Sequence, residues 1–235
     1  MMKRTEEHVE GGGRIRSIIL GLNDGLISTF TLLIGVAAAT LLSTGDNTIV
    51  LLTGFAAMVS GACSMGLGEY ISSKSEYTYI KNEMKKERAE IELFPEEEKE
   101  EVREMFEKMG FHGEGLNNCV ETITADKEVW YNFLTKSELG IDEPENPTVG
   151  AILTFIAFTF GAFIPLFPYL LNLGIISMII SSAMSFGMLF VVGALKTSIT
   201  GEKRIKGAIE MLIIGCIAFV VSFSIGLLLD RLLVF

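Results

Sequence analysis

The sequence predicts an all-α integral membrane protein with five transmembrane helices and a soluble helical domain inserted between spans two and three. The mean hydropathy of the 235-residue chain is +0.45, and its charged residues are segregated from long apolar runs. Five stretches of 22–25 residues are nearly free of charge: Ile18–Leu42, Thr48–Ser72, Val149–Leu171, Gly174–Leu195 and Gly207–Leu229. A helix of that length crosses ~30 Å of hydrocarbon, and helices of soluble cores are seldom so long and so apolar.

The charge of the chain is concentrated in one segment. The formal net charge is −10, and residues 76–145 hold 20 of the 29 Asp and Glu residues but 9 of the 19 Lys and Arg residues. An acidic segment excludes nucleic acid as a partner, because phosphates require basic residues, and it favours cations. The three cysteines are scattered without a CxxC pattern, which is typical of buried reduced thiols.

The segments divide the chain into four regions. Residues 1–13 are polar and end in three glycines, so a flexible N-terminal tail is predicted. Residues 14–73 hold spans one and two, residues 74–147 form the acidic soluble domain, and residues 148–235 hold spans three to five. The four regions therefore alternate between a membrane and water.

Basic residues orient the spans. Arg14 and Arg16 precede span one, and the link before span five is also basic. The positive-inside rule therefore predicts a cytoplasmic N-terminus and a cytoplasmic soluble domain. The segment Pro165–Tyr169 contains two prolines and is predicted to be the turn between spans three and four.

The soluble segment predicts a succession of helices. The helix of span two continues without Gly or Pro to about Leu93, and Pro95 suits the first turn of the next helix. Asp126 is a predicted N-cap and Gly140 a predicted helix end. The three further helices are expected over Glu96–Met109, Leu116–Thr124 and Asp126–Leu139.

Asp24 is the least expected residue of span one. A carboxylate inside a span is costly and marks an ion or proton path, unless neighbouring polar groups bond it in a purely structural role. Asp24 lies about 13 Å into span one and Met65 about 12 Å into span two, both counted from the cytoplasmic end at 1.5 Å per residue. They can therefore face each other, and Glu69 shares the helix face of Met65 nearer the cytoplasm. A carboxylate with a thioether favours a transition metal such as Fe²⁺ over Mg²⁺ or Ca²⁺, although a methionine in a span can also serve packing alone.

Glutamates in the soluble domain form a second candidate site. Glu87 and Glu90 share one helix face, Glu98 and Glu101 repeat that spacing on the next helix, and a turn at Pro95 would bring the pairs together. Facing carboxylates of this kind bind di-iron centres in helical bundles, and Glu138 would close the site. The alternative is a solvated acidic face. In span five, Glu210 is expected to be an interfacial carboxylate paired with Lys206.

Separated motifs in this order resemble the vacuolar iron transporter (VIT) family. The resemblance runs from about Arg14 to the end of the chain. The matching stretches are Gly21–Leu26, Gly61–Gly66, Gly68–Tyr70, Ser73–Glu76, Trp130–Gly140 and Ile164–Tyr169. It implies five spans, a homodimer and a cytoplasmic metal-binding domain. It also implies a transporter, not an enzyme, that exports Fe²⁺ and often Mn²⁺ from the cytoplasm in exchange for protons, without a resident cofactor.

The resemblance assigns residues to two roles. It implies Asp24 and Met65 as the transport site and the soluble glutamates as metal ligands: Glu87, Glu90, Glu98, Glu101 and Glu138. Family members carry a Glu where this chain has Ala57, a role that Glu69 is expected to share. Plant members carry a Met pair at Leu134 and Thr135, so the preference for Fe²⁺ over Mn²⁺ stays open.

The same residues suggest two alternative functions. A membrane-anchored di-iron ferroxidase is disfavoured because His112 is the only histidine of the soluble domain, so the Glu-x-x-His pairs of such centres are missing. A metal-binding membrane sensor would leave Asp24 unexplained. The expected membrane is the plasma membrane in a prokaryote and the vacuolar membrane in a eukaryote.

Overall fold

The computed structural model describes residues 12–44, 46–140, 146–200 and 203–233, and these are helical apart from short connections, with no strand among them. Residues 1–11, most of the predicted tail, lie outside the described residues, and α1 already begins at Gly12. The helices are α1 Gly12–Thr44, α2 Thr48–Leu93, α3 Pro95–Lys108, α4 Gly113–Thr124, α5 Lys127–Leu139, α6 Pro147–Leu170, α7 Ile175–Thr200 and α8 Arg204–Leu233.

Five of these helices are long and apolar enough to cross a membrane. By length and composition the candidate spans lie in α1, α2, α6, α7 and α8. The five predicted spans are therefore confirmed as helices of the required length. The chain divides into two compact units, one formed by Met1–Tyr70 with Thr148–Phe235 and the other by Ile71–Pro147.

In the first unit, α1 and α6 pack backbone against backbone. A Cβ added at Gly25 would collide with the carbonyl oxygen of Phe158, and one at Gly161 would collide with that of Leu22. Only glycine permits such an approach, a common device at helix contacts within membranes. The two helices therefore form a closely fitted pair.

The contact of α2 with α6 is made mainly by side chains, although a Cβ at Gly66 would lie 3.3 Å from the backbone oxygen of Ala151. A Cβ at Gly61 would meet the ring of Phe158, and one at Gly54 would lie 2.5 Å from a methyl carbon of Leu166. Beyond them, a fully buried apolar cluster joins the ends of α1, α2 and α6: Leu33, Ala37, Leu41, Val50, Leu166 and Tyr169. This cluster fills the half of the unit nearer the link between α1 and α2.

Polar groups fix the links between α1 and α2 and between α6 and α7. The buried Asn47 side chain donates hydrogen bonds to the carbonyl oxygen of Tyr169, at 3.4 Å, and to the Ser177 hydroxyl, at 3.3 Å. Asp46 accepts hydrogen bonds from the backbone N–H of Thr48, at 2.9 Å, and from its hydroxyl, at 2.7 Å. The side-chain bond, followed by the backbone bond, lowers the pKa of Asp46. Asp46 thus caps α2.

The predicted turn at Pro165–Tyr169 is wrong. Both prolines lie inside α6, and the chain turns later, at Leu171–Gly174, where Asn172 has a φ of 51° and Gly174 a φ of 59°. Proline within a helix removes the N–H that would bond the carbonyl four residues earlier, here those of Gly161 and Ile164, and helices in membranes tolerate this loss where neighbouring groups and local adjustments compensate. The Ser181 hydroxyl of α7 donates to the carbonyl oxygen of Pro165 itself at 2.7 Å, a bond that ties α7 to α6.

The second unit has its own apolar core, built from α2, α3, α4 and α5: Ile91, Val102, Leu116, Val120, Trp130 and Leu134. Its predicted helix ends agree with the structure. Pro95 occupies the first turn of α3, Asp126 caps α5 by accepting from the N–H groups of Glu128 and Val129, and Gly140 ends α5 in the left-handed conformation. However, α4 begins at Gly113 and not at the predicted Leu116.

A bidentate ion pair ties α2 to α5 in this unit. Arg88 donates two hydrogen bonds to Glu128, at 2.8 and 2.9 Å, and its guanidinium lies 4.7 Å from the ring centroid of Tyr131. Both bonds come from Nη2 of Arg88, and the same guanidinium adds a cation–π contact with Tyr131.

Candidate functional site

A cavity of about 440 Å³ lies between α1, α2 and α6 of the first unit. Its walls carry one carboxylate, one thioether, four hydroxyl groups and few large apolar side chains. The lining residues are Asp24, Ser28, Thr29 and Leu32 of α1, Ala57, Ser60, Gly61, Ser64 and Met65 of α2, and Phe158 of α6.

The structure brings Asp24 and Met65 together in this cavity. A short link joins α1 to α2, so the helices run antiparallel and both residues lie at the cavity end away from that link. The lining stretch of each helix spans about 12 Å. This agrees with the depths expected from the sequence. A carboxylate oxygen and a thioether sulfur in one cavity can bind a divalent transition metal.

Thr29 is a cavity residue that the sequence interpretation missed. It is 1% exposed, and its hydroxyl oxygen is buried without a hydrogen bond. Other hydroxyls of the spans bond to a carbonyl one turn earlier, as Thr40 does to Val36 and Thr159 to Phe155. A buried hydroxyl without such a bond is costly, and this one lies in the wall that also holds Asp24. The signal in the sequence is the Ser28–Thr29 pair one turn after Asp24.

Glu69 lies beyond the Met65 end of the cavity. Its Oε1 accepts a hydrogen bond of 2.9 Å from the hydroxyl of Ser17 in α1, and a Cβ at Gly150 of α6 would lie 3.3 Å from the same oxygen. Glu69 is four residues after Met65 and so about 6 Å further along α2. The partly buried carboxylate therefore stands where α1, α2 and α6 converge.

Glu69 and Ala57, where the resemblance implies a glutamate in the family, lie at different levels of α2. Ala57 lines the opposite end of the cavity, near Leu32, and lies twelve residues before Glu69, which is about 18 Å along α2. Glu69 does not line this cavity. The cavity wall therefore carries a single carboxylate, that of Asp24.

The second unit buries two of its predicted metal ligands. Glu87 and Glu98 are each 7% exposed. Glu87 lies one turn before Ile91 of α2 and Glu98 one turn before Val102 of α3, and both apolar residues belong to the same core cluster. Because residues four apart share a helix face, both glutamates lie on the faces that build this core. Acidic side chains are seldom so buried unless they are paired or bind a cation.

The other predicted ligands are placed differently. Oε1 of Glu90 lies 3.6 Å from Nζ of Lys86 on the same helix. Glu101 is exposed. The backbone of Glu138 belongs to α5, and its side chain lies outside the described residues. In the described part of the chain, no three His, Cys, Asp or Glu side chains form a group that could hold a metal ion. The five-glutamate site stays a prediction.

Three further predicted features can be located. Glu210 is exposed on α8, and its expected ion pair with Lys206 stays a prediction. Leu134 belongs to the core of the second unit. Thr135 is buried beside it, and its hydroxyl has no hydrogen bond.

Comparisons of the sequence with a family model and with known proteins point to the same family. The sequence model of the VIT family matches residues 15–227. The chain is 35% identical over 225 residues to vacuolar iron transporter 1 of Arabidopsis thaliana, covering 94% of this chain and 88% of the relative. It is 30% identical over 229 residues to vacuolar iron transporter 1 of Tulipa gesneriana, with 96% and 91% covered.

A relative from an organism that is not a plant is similar to the same extent. The vacuolar iron transporter of Plasmodium berghei (strain Anka) is 30% identical over 239 aligned positions, covering 97% of this chain and 86% of the relative. The resemblance seen in the motifs is thereby confirmed over nearly the whole length. This chain belongs to the VIT family.

Proposed function

We propose that this protein moves Fe²⁺, Mn²⁺ or both across a membrane, out of the cytoplasm and in exchange for protons. The observation that carries the proposal is the cavity in which Asp24 of α1 and Met65 of α2 line common walls. The relatives are named vacuolar iron transporters, which supports iron as cargo. Localisation follows the host: the vacuolar membrane in a eukaryote and the plasma membrane in a prokaryote.

The cargo binds through groups of mixed hardness. Asp24 supplies the negative charge that any divalent cation requires, and Met65 supplies a polarisable sulfur that favours Fe²⁺ over Ca²⁺ or Mg²⁺. The hydroxyls of Ser60 and Ser64 lie in the same walls and replace part of the water that the cation loses. The site therefore selects transition metals by ligand type.

Proton exchange uses the same carboxylate. One carboxylate in a low-dielectric site holds a proton or a cation, because each neutralises the charge that the other requires. Asp24 is the only carboxylate among the residues that line the cavity. Release of the metal on the far side therefore leaves Asp24 to take up a proton, which returns to the cytoplasm.

The second unit collects the cargo. Its buried Glu87 and Glu98, with Glu90, Glu101 and Glu138, bind cytoplasmic metal and raise its supply to the path that begins at Glu69. The protein acts as a homodimer. Cytoplasmic placement of this unit is supported by Arg14 and Arg16, which precede the first span.

The transport site is tested by Asp24→Asn in proteoliposomes. We expect uptake of Fe²⁺ and Mn²⁺ to be abolished, while metal binding to the second unit persists, because the amide can neither carry charge nor exchange a proton. Asp46→Asn is the matched control, since Asp46 lies outside the cavity and an amide oxygen still accepts the bonds from Thr48.

Three results would contradict this proposal. Unchanged flux in Asp24→Asn would remove Asp24 from the path. Flux that ignores an imposed pH gradient would exclude proton exchange. Oxygen consumption on addition of Fe²⁺ would indicate a ferroxidase instead of a transporter.

A further inference from the structure

Ser17 of α1 contacts the glutamate at the inner end of the proposed path. Its side chain is 4% exposed, and its hydroxyl donates a hydrogen bond of 2.9 Å to Oε1 of Glu69 in α2. The two residues are 52 positions apart in the sequence. A buried donor on one span is thus directed at a carboxylate on another.

The register of this contact relates it to the cavity. Ser17 lies seven residues, two helical turns, before Asp24, so the two share a face of α1 about 10 Å apart. Glu69 lies four residues after Met65, on the same face of α2 and about 6 Å away. The hydrogen bond therefore joins the two helix faces that carry Asp24 and Met65, beyond the end of the cavity where those residues lie.

The backbone of α6 closes the third side of this contact. A Cβ at Gly150 would lie 3.3 Å from Oε1 of Glu69 and 3.7 Å from the hydroxyl oxygen of Ser17. No side chain at position 150 stands between α6 and the pair. Three helices therefore fix the position of one carboxylate oxygen.

The hydroxyl changes what this carboxylate can bind. A carboxylate offers two oxygens with about four acceptor positions, and a bond from Ser17 occupies one of them on Oε1. A cation held by a single oxygen leaves that bond intact, whereas a cation held tightly by both oxygens competes with it. Conduction requires a site attractive enough to fill and weak enough to empty.

We propose that Ser17 is a positioning residue for transport. Its hydroxyl holds Glu69 against α1 just beyond the inner end of the cavity and limits the affinity of Glu69 for the cation, so that Glu69 passes the metal to Asp24 and Met65. This inference rests on the proposed function and adds to it a residue that determines the rate of transfer.

The test is the effect of Ser17→Ala on the kinetics of Mn²⁺ uptake into proteoliposomes. Without the hydroxyl, the carboxylate binds the cation with both oxygens, so KM and kcat are both expected to fall about tenfold, the scale of one hydrogen bond to a charged group. Ser17→Thr keeps the hydroxyl and restores wild-type values. Ser17→Cys keeps the side-chain size with a weaker donor and falls between them.

Thr53→Ala is the matched control. Its hydroxyl bonds to the carbonyl of Ile49 in its own helix, at 2.8 Å, and does not reach the cavity residues. Kinetic constants equal to those of the wild type are expected. Equal losses in this variant and in Ser17→Ala would assign both effects to general disturbance of the spans and overturn the inference.

Wild-type KM and kcat in Ser17→Ala would overturn the role of Ser17 while transport stands. Absence of Mn²⁺ and Fe²⁺ flux in the wild-type protein would refute the proposed function itself, and the inference with it.

Discussion

Replacing Thr29 by valine tests whether the cavity keeps a hydroxyl for its cargo at the expense of stability. Thr29 is 1% exposed and its hydroxyl has no hydrogen bond. An unsatisfied buried polar group costs about 1–3 kcal/mol, and valine has nearly the same shape without the polar atom. We therefore expect Thr29→Val to be more stable than the wild type by about 1–2 kcal/mol.

Both effects of Thr29→Val are measurable. A gain of 1 kcal/mol raises the unfolding temperature by about 2–4 °C in a chain of this size, detectable by thermal unfolding in detergent. The variant also removes a hydroxyl from the cavity wall that holds Asp24, and kcat/KM for Mn²⁺ uptake is expected to fall about tenfold, equivalent to ~1.4 kcal/mol. Stability and transport therefore change in opposite directions.

Thr154→Val is a closely matched control. Thr154 is also 1% exposed with a hydroxyl that makes no hydrogen bond, but it does not line the cavity. We expect the same gain in stability with unchanged flux. Wild-type flux in Thr29→Val, or a loss of stability in both variants, would refute the reasoning.

Three further predictions concern packing, metal binding and pH. Gly25→Ala is expected to cost about 3 kcal/mol in thermal unfolding because its Cβ meets the backbone of α6, whereas Gly68→Ala, with open space around it, should not lose stability. Glu98→Gln, at a buried position, should weaken Mn²⁺ binding about tenfold in calorimetry, and Glu104→Gln, at an exposed position, should leave it unchanged. Hydrogen bonds lower the pKa of Asp46 below 3.8, so Asp46→Ala should be less stable than the wild type at pH 7, and the difference in unfolding temperature should vanish as the pH falls through that lowered pKa.

Features set by local chemistry could be predicted from the sequence. Span length follows from uninterrupted apolar runs, and the helix ends at Pro95, Asp126 and Gly140 follow from ring geometry, side-chain capping and positive φ. Counting residues from the span ends also gave the common depth of Asp24 and Met65, because rise per residue is nearly constant.

Features set by contacts between helices could not be predicted from the sequence. The turn expected at Pro165 failed because α6 continues through both prolines to Leu170, a continuation that neighbouring helices permit and local rules do not predict. Glu87 is buried and Glu90 is not, although they share a helix face, because burial depends on how α3 meets α2. The bond between Ser17 and Glu69 likewise requires the rotation of two helices about their axes.

The two kinds of contact made by α6 have a mechanical consequence. Glycines bring α6 and α1 together through rigid backbone, while α2 meets α6 mainly through rotatable side chains such as the ring of Phe158, with one closer approach at Gly66. We therefore expect α1 and α6 to move as one body and α2 to slide along them. Asp24 then belongs to one moving part and Met65 to the other, so one displacement both opens the cavity and pulls the ligands apart. Spin labels on α1, α2 and α6 would report it, and a constant α1–α2 distance with a changing α1–α6 distance would refute it.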